Sequence, residues 1–396
     1  MNRRWRKYSN DMLENQSPLF NLPDDITYLN CAYMSPMLRS VAEIGVHSIY
    51  RKDDPTTIGP DDFFSNGKAL REEFAKLIEV DNPDRCAVIP SVSYGMATVA
   101  NNLKAGKGDN IILTDEQFPS NVYAWHQMAS DRGIELRVIT APSGENRGKN
   151  WNQQLLEAID DHTKLVTLGH VHWADGTLFD LKSIRQRTRE VGAALVIDGT
   201  QSIGALPFSV KEFEPDAVIV AGYKWLMGPY SMGVAYYGEY FNDGKPIENN
   251  WMNRLHSENF AGLVNYQEAY QPGSLRYEVG ESANFVLSPM LTEAIKQVNA
   301  WGAENIQQYC GALIGPYLEE LKSMGFQVES PEYRGNHLVG IRLPEHLSLD
   351  TVKEYFTAER VFLSYRGNSI RIAPNVYNSA KDMEALMAGF RQKAMA

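Results

Sequence analysis

Short apolar runs alternate with longer amphipathic stretches through the first 240 residues of the chain. The apolar runs that predict strands span residues 85–89, 110–113, 135–139, 164–168, 193–197, 216–220 and 233–237. The stretches that predict helices between them span residues 97–103, 120–132, 152–159 and 181–191. Continuously apolar strands separated by helices predict an α/β layer around a mostly parallel sheet that is buried on both faces.

The pattern changes after about residue 240. Residues 241–250 are polar and contain Gly and Pro, which is typical of a loop or a domain boundary. The later pattern predicts helices at 289–301, 305–324, 351–360 and 380–395, and strands within 325–343 and 361–372. We therefore predict a large α/β domain over residues 26–250, and a smaller α+β domain formed by residues 1–25 together with 251–396.

Composition and charge narrow the class of protein. A chain of 396 residues with 43% hydrophobic and 22% charged residues is typical of a globular protein with two domains. The formal net charge is −11 and no long Lys/Arg block is present, which argues against binding to nucleic acid or an anionic membrane. The three cysteines lack metal-binding spacing, and the basic N-terminus lacks the apolar stretch of a secretory signal. We expect a cytoplasmic protein without a metal site, whose partner is a small molecule.

Ligands of open α/β sheets bind at the carboxyl ends of the strands, so the residues that follow each predicted strand are informative. The sequence PSVSYG at residues 90–95 places Ser91 and Ser93 between a strand and a helix. The unpaired N–H groups and the dipole at such a helix start favour a phosphate group. The alternative is an ordinary helix cap formed by Ser93.

Two charged residues follow other apolar strands. Asp198 ends the strand before Gly199, where a buried carboxylate is costly unless a cation or hydrogen-bond donors meet it, and a protonated ring nitrogen would satisfy it. Lys224 lies just past an apolar strand, where desolvation lowers the pKa of an amine and makes it nucleophilic. The alternatives are that Asp198 caps a turn and that Lys224 extends to the surface.

Arg371 lies between apolar residues of a predicted strand near the C-terminus. A guanidinium group in that position needs a carboxylate partner, either from a substrate or from an internal salt bridge. An anion site, a carboxylate for a ring nitrogen, a lysine for a carbonyl group and an arginine for a carboxylate form a coherent set. They are the groups required to hold pyridoxal phosphate as a Schiff base and to present an amino acid to it.

With these motifs the chain resembles the class V members of the fold-type I pyridoxal-phosphate enzymes. That group includes cysteine desulfurases, kynureninases, isopenicillin-epimerase-like proteins and several aminotransferases. The resemblance extends from YLNCAY at residues 28–33 to YNS at residues 377–379. It implies a mostly parallel central sheet flanked by helices, a smaller C-terminal α+β domain, and a homodimer with a shared active site.

The resemblance implies a role for each of the motif residues. Lys224 would form the aldimine with the cofactor and then move a proton between the substrate α-carbon and C4′ of the cofactor. Asp198 would pair with the pyridinium nitrogen, Gln201 would donate to the ring hydroxyl oxygen, and Arg371 would bind the substrate α-carboxylate. The residues that would hold the phosphate are Ser91, Val92, Ser93 and Tyr223.

Aromatic residues after two further strands complete the implied site. Phe118 would stack on the cofactor ring, although it could instead be a core aromatic residue. His172 and Trp173 lie in HVHWADGT at residues 170–177, a segment that approaches the ring hydroxyl and the substrate in the family. Trp173 is therefore a candidate contact to the cofactor and His172 a candidate contact to the substrate, unless both simply pack at the strand end.

The chain also departs from the family pattern. Desulfurases carry a nucleophilic cysteine ahead of the carboxylate-binding arginine, but residues 326–370 contain no cysteine, so we disfavour a desulfurase. Glu281 occupies the place of a threonine whose hydroxyl reaches the phosphate of the neighbouring subunit. Either Ser282 takes over that contact or the dimer contact differs.

The sequence favours an aminotransferase, because transamination requires only the set of residues above. A kynureninase-like C–C lyase or a β/γ lyase is the next alternative, suggested by Phe118 and Pro119 and by RIAP at residues 371–374. An epimerase is third. A nucleotide-binding protein is disfavoured because neither GxGxxG nor GxxxxGK[ST] follows a predicted strand.

Overall fold

The computed structural model describes residues 12–367 and 369–394. In these ranges the strands are β1 (Thr27–Tyr28), β2 (Cys86–Ile89), β3 (Asn110–Thr114), β4 (Glu135–Ile139), β5 (Thr163–Gly169), β6 (Ala194–Asp198), β7 (Ala217–Ala221), β8 (Gly233–Tyr237), β9 (Gln327–Val328), β10 (Val339–Arg342), β11 (Val361–Phe362), β12 (Ser364–Arg366) and β13 (Ser369–Ile372). The α-helices are α1 (Arg39–Tyr50), α2 (Asp62–Leu77), α3 (Val92–Asn102), α4 (Tyr123–Arg132), α5 (Arg147–Ala158), α6 (Leu181–Val191), α7 (Val210–Phe213), α8 (Leu287–Trp301), α9 (Ala303–Ser323), α10 (Leu349–Ala358) and α11 (Ala380–Ala394).

The large sheet has seven strands in the order β2-β8-β7-β6-β5-β3-β4. Only β8 runs antiparallel to its neighbours, and the other pairs are parallel. Every strand predicted for this part of the sequence is present, and each boundary differs by at most one residue. The prediction of a mostly parallel α/β sheet flanked by helices is confirmed.

The prediction that the sheet is buried on both faces is wrong for β4. This strand lies at the edge of the sheet, and each of its residues is exposed or half-buried, whereas β2, β3, β6 and β7 are buried throughout. Glu135 and Arg137 on β4 form an ion pair with each other. Charged side chains on an edge strand oppose pairing with the strand of another chain.

A second sheet lies in the C-terminal part of the chain. Its four antiparallel strands follow the order β12-β13-β10-β9, and β1 pairs separately with β11. The side chains of α9, α10 and α11 share a hydrophobic core with these strands. This is the smaller α+β unit that the sequence indicated. The domain boundaries at residues 25/26 and 250/251 stay a prediction, and residues 1–11 of that prediction lie outside the described residues.

Successive side chains along a central strand point to opposite faces of the sheet, and this determines which of them lie on the face of the candidate site. Ala194 and Val196 of β6 pack with α3 and α4 on one face of the sheet, whereas Leu195 and Ile197 pack on the other face. By the same period of two, Asp198 lies on the α3 side. The start of α3 and the end of β6 therefore meet at the same edge and on the same face of the sheet.

Close packing of α3 on the sheet depends on a glycine. A Cβ atom on Gly95 would lie 2.6 Å from Cγ2 and 2.9 Å from Cδ1 of Ile219 on β7. A larger residue would push the first turn of α3 away from the sheet. Gly95 thus fixes the position of the Ser91–Ser93 segment relative to the ends of the strands.

No α-helix within residues 12–367 and 369–394 has an apolar stretch long enough to cross a membrane. The cytoplasmic location that we expected from the sequence stays a prediction.

Candidate active site

A cavity of about 260 Å³ opens at the carboxyl ends of the parallel strands. Of the twelve site residues predicted from the sequence, all except Ser282 and Arg371 line this cavity. The ten that do so are Ser91, Val92, Ser93, Phe118, His172, Trp173, Asp198, Gln201, Tyr223 and Lys224. Residues from five separate segments thus converge as the rule for open α/β sheets predicts.

The first turn of α3 forms one wall of the cavity. Ser91 is the capping residue, because its Oγ accepts a hydrogen bond of 3.2 Å from the backbone N–H of Tyr94. The alternative that Ser93 caps the helix is therefore wrong. The Ser93 hydroxyl lies 3.0 Å from that of Ser91, and the backbone N–H groups of Val92 and Ser93 belong to the first helical turn. This arrangement favours the binding of an anion, because the unpaired N–H groups and the positive end of the helix dipole both lie at the start of the helix.

Asp198 is buried at the end of β6. Burial raises the pKa of its carboxyl group, whereas hydrogen bonds from Thr200 and the charge of Lys224 oppose this shift. Its Oδ1 accepts a hydrogen bond of 3.0 Å from the backbone N–H of Thr200. In the described part of the chain, no Lys, Arg or His forms a salt bridge with it, so a donor or a cationic group from a ligand would satisfy the remaining oxygen.

Lys224 does not extend to the surface, since only 6% of its area is exposed. Its Nζ lies 5.2 Å from the ring centre of Phe118 and 5.6 Å from that of Tyr223. Burial, and next the charge of Arg371, lower the pKa of the amine to about 8, although Asp198 acts in the opposite direction. A lysine in this setting supplies neutral amine close to neutral pH.

The aromatic residues Phe118 and Trp173 lie beside Lys224. Their rings meet edge to face with centres 5.3 Å apart, and both rings line the cavity. The indole Nε1 of Trp173 donates a hydrogen bond of 2.6 Å to the backbone oxygen of Glu116. The two rings therefore form one packed part of the cavity wall.

The Gln201 side chain is held by the protein at both ends. Its Nε2 donates to the backbone oxygen of Ala32 at 3.0 Å, and its Oε1 accepts from the indole of Trp225 at 2.9 Å. One amide hydrogen remains for a ligand. The predicted donation from Gln201 to a ring hydroxyl therefore stays a prediction.

His172 is oriented by a buried carboxylate that sequence reasoning missed. Its Nδ1 lies 3.1 Å from Oδ1 of Asp175, and Oδ2 of Asp175 accepts from Arg147 at 2.8 Å and from Arg342 at 3.0 Å. Burial alone would raise the pKa of Asp175, but His172, Arg147 and the amide of Thr177 hold it well below its usual range. The other ring nitrogen, Nε2, is buried and has no hydrogen-bond partner among the described residues.

Arg371 lies on β13 with 1% of its area exposed. Its guanidinium group donates to the backbone oxygen of Trp173 at 2.5 Å and to the hydroxyl of Ser364 at 3.2 Å. Among the described residues no carboxylate pairs with it, so the alternative of an internal salt bridge is wrong. Burial, and next the charge of Arg366, lower its pKa to about 9. Arg371 is therefore a buried cation without an anion, in contact with the cavity wall through Trp173.

Ser282 lies away from the cavity. Its hydroxyl donates a hydrogen bond of 3.0 Å to Glu278, and Glu278 in turn forms a buried ion pair of 2.8 Å with Arg71. Glu281, which replaces the family threonine, has a φ of +59°. Whether Ser282 reaches the phosphate of a neighbouring subunit stays a prediction.

The cavity also has polar lining residues that the sequence analysis did not name. They are Gln117, Ser120, Thr200, Tyr230 and Ser231. Tyr230 and Ser231 precede β8, the one antiparallel strand of the large sheet, so the rule of strand carboxyl ends could not find them. Within the ranges described above, no group of three or more His, Cys, Asp and Glu residues could hold a metal ion.

Comparison with known proteins identifies the family. The profile of the family described as Aminotransferase class-V matches residues 62–382, which is most of the chain. The chain belongs to the class-V aminotransferase family. It is a fold-type I enzyme whose cofactor is pyridoxal 5′-phosphate.

Individual relatives of this class-V protein differ in the activity that their names state. An uncharacterized aminotransferase, YcbU, from Bacillus subtilis is 28% identical over 314 residues, which is 79% of this chain and 80% of the relative. A cysteine desulfurase from Pectobacterium atrosepticum is 25% identical over 341 residues, or 82% of this chain and 81% of the relative. Membership of the class-V family therefore leaves the reaction open.

Solved structures share the fold of this class-V protein. The apo structure of a cysteine desulfurase from Thermococcus onnurineus NA1 has a TM-score of 0.80 at 19% identity, and covers 96% of this chain and 98% of its own. The cystine C–S lyase C-DES, in complex with its product cysteine persulfide, has a TM-score of 0.81 at 20% identity, with 94% and 98% covered. At these identities the likeness establishes the fold.

The residues of the cavity fit the class-V cofactor on grounds independent of the comparisons. The first turn of α3 suits a phosphate, and the buried Asp198 carboxylate suits a protonated ring nitrogen. The unpartnered Nε2 of His172 suits a polar group of a ligand. Lys224, buried with a lowered pKa in the same cavity, suits an aldehyde.

Proposed function

We propose that this class-V enzyme is an aminotransferase that acts on an amino acid by means of Lys224. The observation that carries the proposal is the convergence of Lys224 and Asp198, both buried, in one cavity beside the first turn of α3. When bound, pyridoxal phosphate supplies an aldehyde that bonds amines and a ring that withdraws electrons from the substrate α-carbon. The chain must supply orientation, charge and proton transfer.

Each of these tasks has a proposed residue. Asp198 holds the proton on the ring nitrogen, because its buried carboxylate forms no salt bridge with a Lys, Arg or His of the described residues. Phe118 and Trp173 hold the flat face of the ring, and Arg371 binds the substrate α-carboxylate. His172 contacts the substrate, and Gln201 donates to the ring hydroxyl. The proposed phosphate contacts are Ser91, Val92, Ser93 and Tyr223, with Ser282 of a second copy as a further contact.

Lys224 also performs the proton transfer in this proposal. The Nζ of Lys224 would accept the proton from the substrate α-carbon and donate it again, while the bound cofactor would supply the electron-withdrawing ring. A base for this step requires a neutral amine near neutral pH, and the lowered pKa of Lys224 provides it. Transamination needs no other acid or base.

Buried thiols argue against a cysteine desulfurase. All three cysteines of the chain, Cys31, Cys86 and Cys310, are buried. Burial raises the pKa of each thiol, to about 12 for Cys31. Transfer of sulfur to the enzyme requires an accessible thiolate, which none of these residues offers.

A C–C or β/γ lyase is the second candidate, and one observation favours it. His172, whose ring is oriented by Asp175, places an imidazole in the cavity besides the amine of Lys224. A lyase uses such a group to transfer a proton to the part of the substrate that leaves. An aminotransferase has no need of it.

Product analysis in a single turnover separates these reactions. The purified holoenzyme is mixed with each common amino acid and the products are identified by mass. An aminotransferase yields one equivalent of the 2-oxo acid with the intact carbon chain, and leaves the cofactor in its amino form. Ammonia, sulfide or a shortened carbon chain formed over many turnovers would support a lyase and contradict the proposal.

The pH dependence of cofactor binding tests the state of Lys224. With a pKa of about 8, roughly a tenth of the amine is neutral at pH 7, whereas an ordinary lysine has less than about one part in a thousand. The rate at which cofactor-free protein captures pyridoxal phosphate should rise about tenfold per pH unit below pH 8 and then level off. Nα-acetyl-lysine serves as the control in stopped-flow absorbance. A rate that rises with the same profile as this control up to about pH 10 would contradict the buried, desolvated amine.

We also propose that the enzyme is a homodimer, as expected from the sequence. Val264 and Tyr266 lie on a long loop and are 78% and 92% exposed, which is unusual for large apolar side chains. A second subunit would cover such residues. Sedimentation velocity should give about twice the chain mass, and a fully active monomer would contradict the shared active site.

A further inference from the structure

Two arginines flank Trp173 in the wall of the candidate site. Arg371 donates to its backbone oxygen, and the guanidinium carbon of Arg366 lies 5.3 Å from the centre of its indole ring. Both arginines belong to the hairpin of β12 and β13, in which Ser364 pairs with Arg371 and Arg366 with Ser369. The hairpin thus brings two cations to the same tryptophan.

Neither cation has an anionic partner in the described ranges of the chain. Arg366 donates to the backbone oxygen of Tyr365 at 2.7 Å, and its Nε is buried without a hydrogen-bond partner. Two other arginines of the described residues are buried, as Arg371 is, and both have carboxylates: Arg71 pairs with Glu278 and Arg147 with Asp175. Arg371 is therefore the exception among the buried arginines that the structure describes, and the half-buried Arg366 beside the same tryptophan also lacks a carboxylate.

The charges of both arginines affect the pKa of the Lys224 amine. Arg371 and Arg366 each lower the pKa of Lys224, and the only carboxylate with an opposing effect is Asp198. Asp198 is proposed to serve the ring nitrogen of the cofactor. Two positive charges next to Trp173, a residue of the cavity wall, are therefore left uncompensated by the described residues.

One α-carboxylate can satisfy only one of these two guanidinium groups in the bidentate manner that arginine favours. A second anionic group is needed for the other. We propose that the substrate is a dicarboxylic amino acid of the aspartate or glutamate type, with its α-carboxylate on Arg371 and its side-chain carboxylate on Arg366. This assignment rests on the proposed function, because Lys224 must hold the cofactor for the amino acid to be placed between these groups.

Trp173 orients the guanidinium group of Arg366 for binding to a side-chain carboxylate. Stacking on the indole ring orients the planar guanidinium group while leaving its edge free for hydrogen bonds. The ring of Trp173 meets Phe118, whose ring centre lies 5.2 Å from Nζ of Lys224. The series Arg366, Trp173, Phe118 and Lys224 therefore connects the proposed side-chain site to the reacting amine without another charged residue.

Substrate preference tests the assignment with matched amino acids. The holoenzyme should have a kcat/KM for aspartate or glutamate about 10²-fold above that for asparagine or glutamine, which have the same shape without the charge. Arg366→Gln should lower the value for the dicarboxylic substrate about 10- to 100-fold and change that for the amide less than about twofold. Arg366→Lys, which keeps the charge, should recover part of the loss. Arg189→Gln, which removes a surface arginine paired with Glu214, is the control.

Binding of an unreactive ligand provides a readout that is independent of turnover. Succinate has two carboxylates and no amine, whereas butyrate has one carboxylate. Calorimetry should show succinate binding to the holoenzyme more tightly than butyrate, and Arg366→Gln should abolish most of that difference. Equal binding of the two acids, or a parallel loss for acidic and neutral substrates in Arg366→Gln, would overturn the assignment.

The outcomes also separate this assignment from the proposed function. Transamination of neutral amino acids in preference to dicarboxylic ones would overturn the role of Arg366 and leave the aminotransferase intact. Protein that forms no 2-oxo acid from any amino acid would contradict the aminotransferase and the substrate assignment with it.

Discussion

Lys224→Ala is expected to abolish the visible absorption of the bound cofactor and to reduce kcat by at least about 10³-fold. The reason is that one amine serves twice in the proposal, first as the covalent anchor and then as the base at the substrate α-carbon. Absorbance spectra and single-turnover product analysis of the purified variant measure the two effects separately.

Two further variants sharpen this prediction. Lys224→Arg keeps a positive charge in the cavity but cannot bond an aldehyde, so it should be as inactive as Lys224→Ala. Lys164→Ala removes a half-buried lysine on β5 that pairs with Asp109, and should leave spectrum and rate unchanged. A Lys224→Ala protein that retained both the absorption and more than about a tenth of the rate would exclude Lys224 from both roles.

Asp198→Asn is expected to lower kcat about 10²- to 10³-fold while the protein stays folded and binds the cofactor more weakly. Asparagine has the shape of aspartate and can still accept the hydrogen bond from Thr200. It has no negative charge, however, with which to keep the ring nitrogen protonated. Steady-state rates and equilibrium binding of the cofactor give the two measurements.

The charge of Asp198 also acts on Lys224, which adds a second readout. Because Asp198 raises the pKa of Lys224, its loss should move the levelling-off of cofactor capture to a pH below about 8. Asp198→Glu, which keeps the charge, should leave that pH close to the wild-type value. A wild-type rate in Asp198→Asn would show that the carboxylate has no part in holding the proton on the ring.

The sequence predicts the large sheet well because its strands are continuously apolar. Runs such as Ala194–Asp198 are buried on both faces, and neither a helix of ordinary amphipathic spacing nor a loop has that composition. The edge strand β4 was misjudged in burial because a short run with Leu136, Val138 and Ile139 has the same apolar character in an edge strand as in a central one. Position within the sheet depends on long-range pairing, which a local pattern does not contain.

In the candidate site, too, the features that depend on local sequence could be predicted, whereas those that depend on long-range contacts could not. Ser91, Asp198 and Lys224 follow buried strands directly, so the geometry of parallel sheets predicts that they converge. Asp175 was missed because its partners Arg147 and Arg342 are remote in the sequence, and only the short spacing to His172 could have signalled a pair.

The sequence alone could not decide the partner of Arg371. A buried arginine is equally consistent with an internal salt bridge and with a ligand, and only the folded arrangement shows that no described carboxylate reaches it. Arg366 gave no signal in the sequence at all, because its stacking on Trp173 joins a C-terminal hairpin to a loop after β5. Substrate recognition is therefore the part of the account that depends most on tertiary structure.

Chemical mapping of the attachment point identifies the amine that holds the cofactor. The holoenzyme is treated with borohydride, which fixes the bond between cofactor and amine, and is then digested and sequenced by mass spectrometry. We expect the pyridoxyl group on the peptide containing Lys224, and on that lysine alone. Modification of a different lysine, or complete absence of modification in protein that carries bound cofactor, would contradict this role of Lys224.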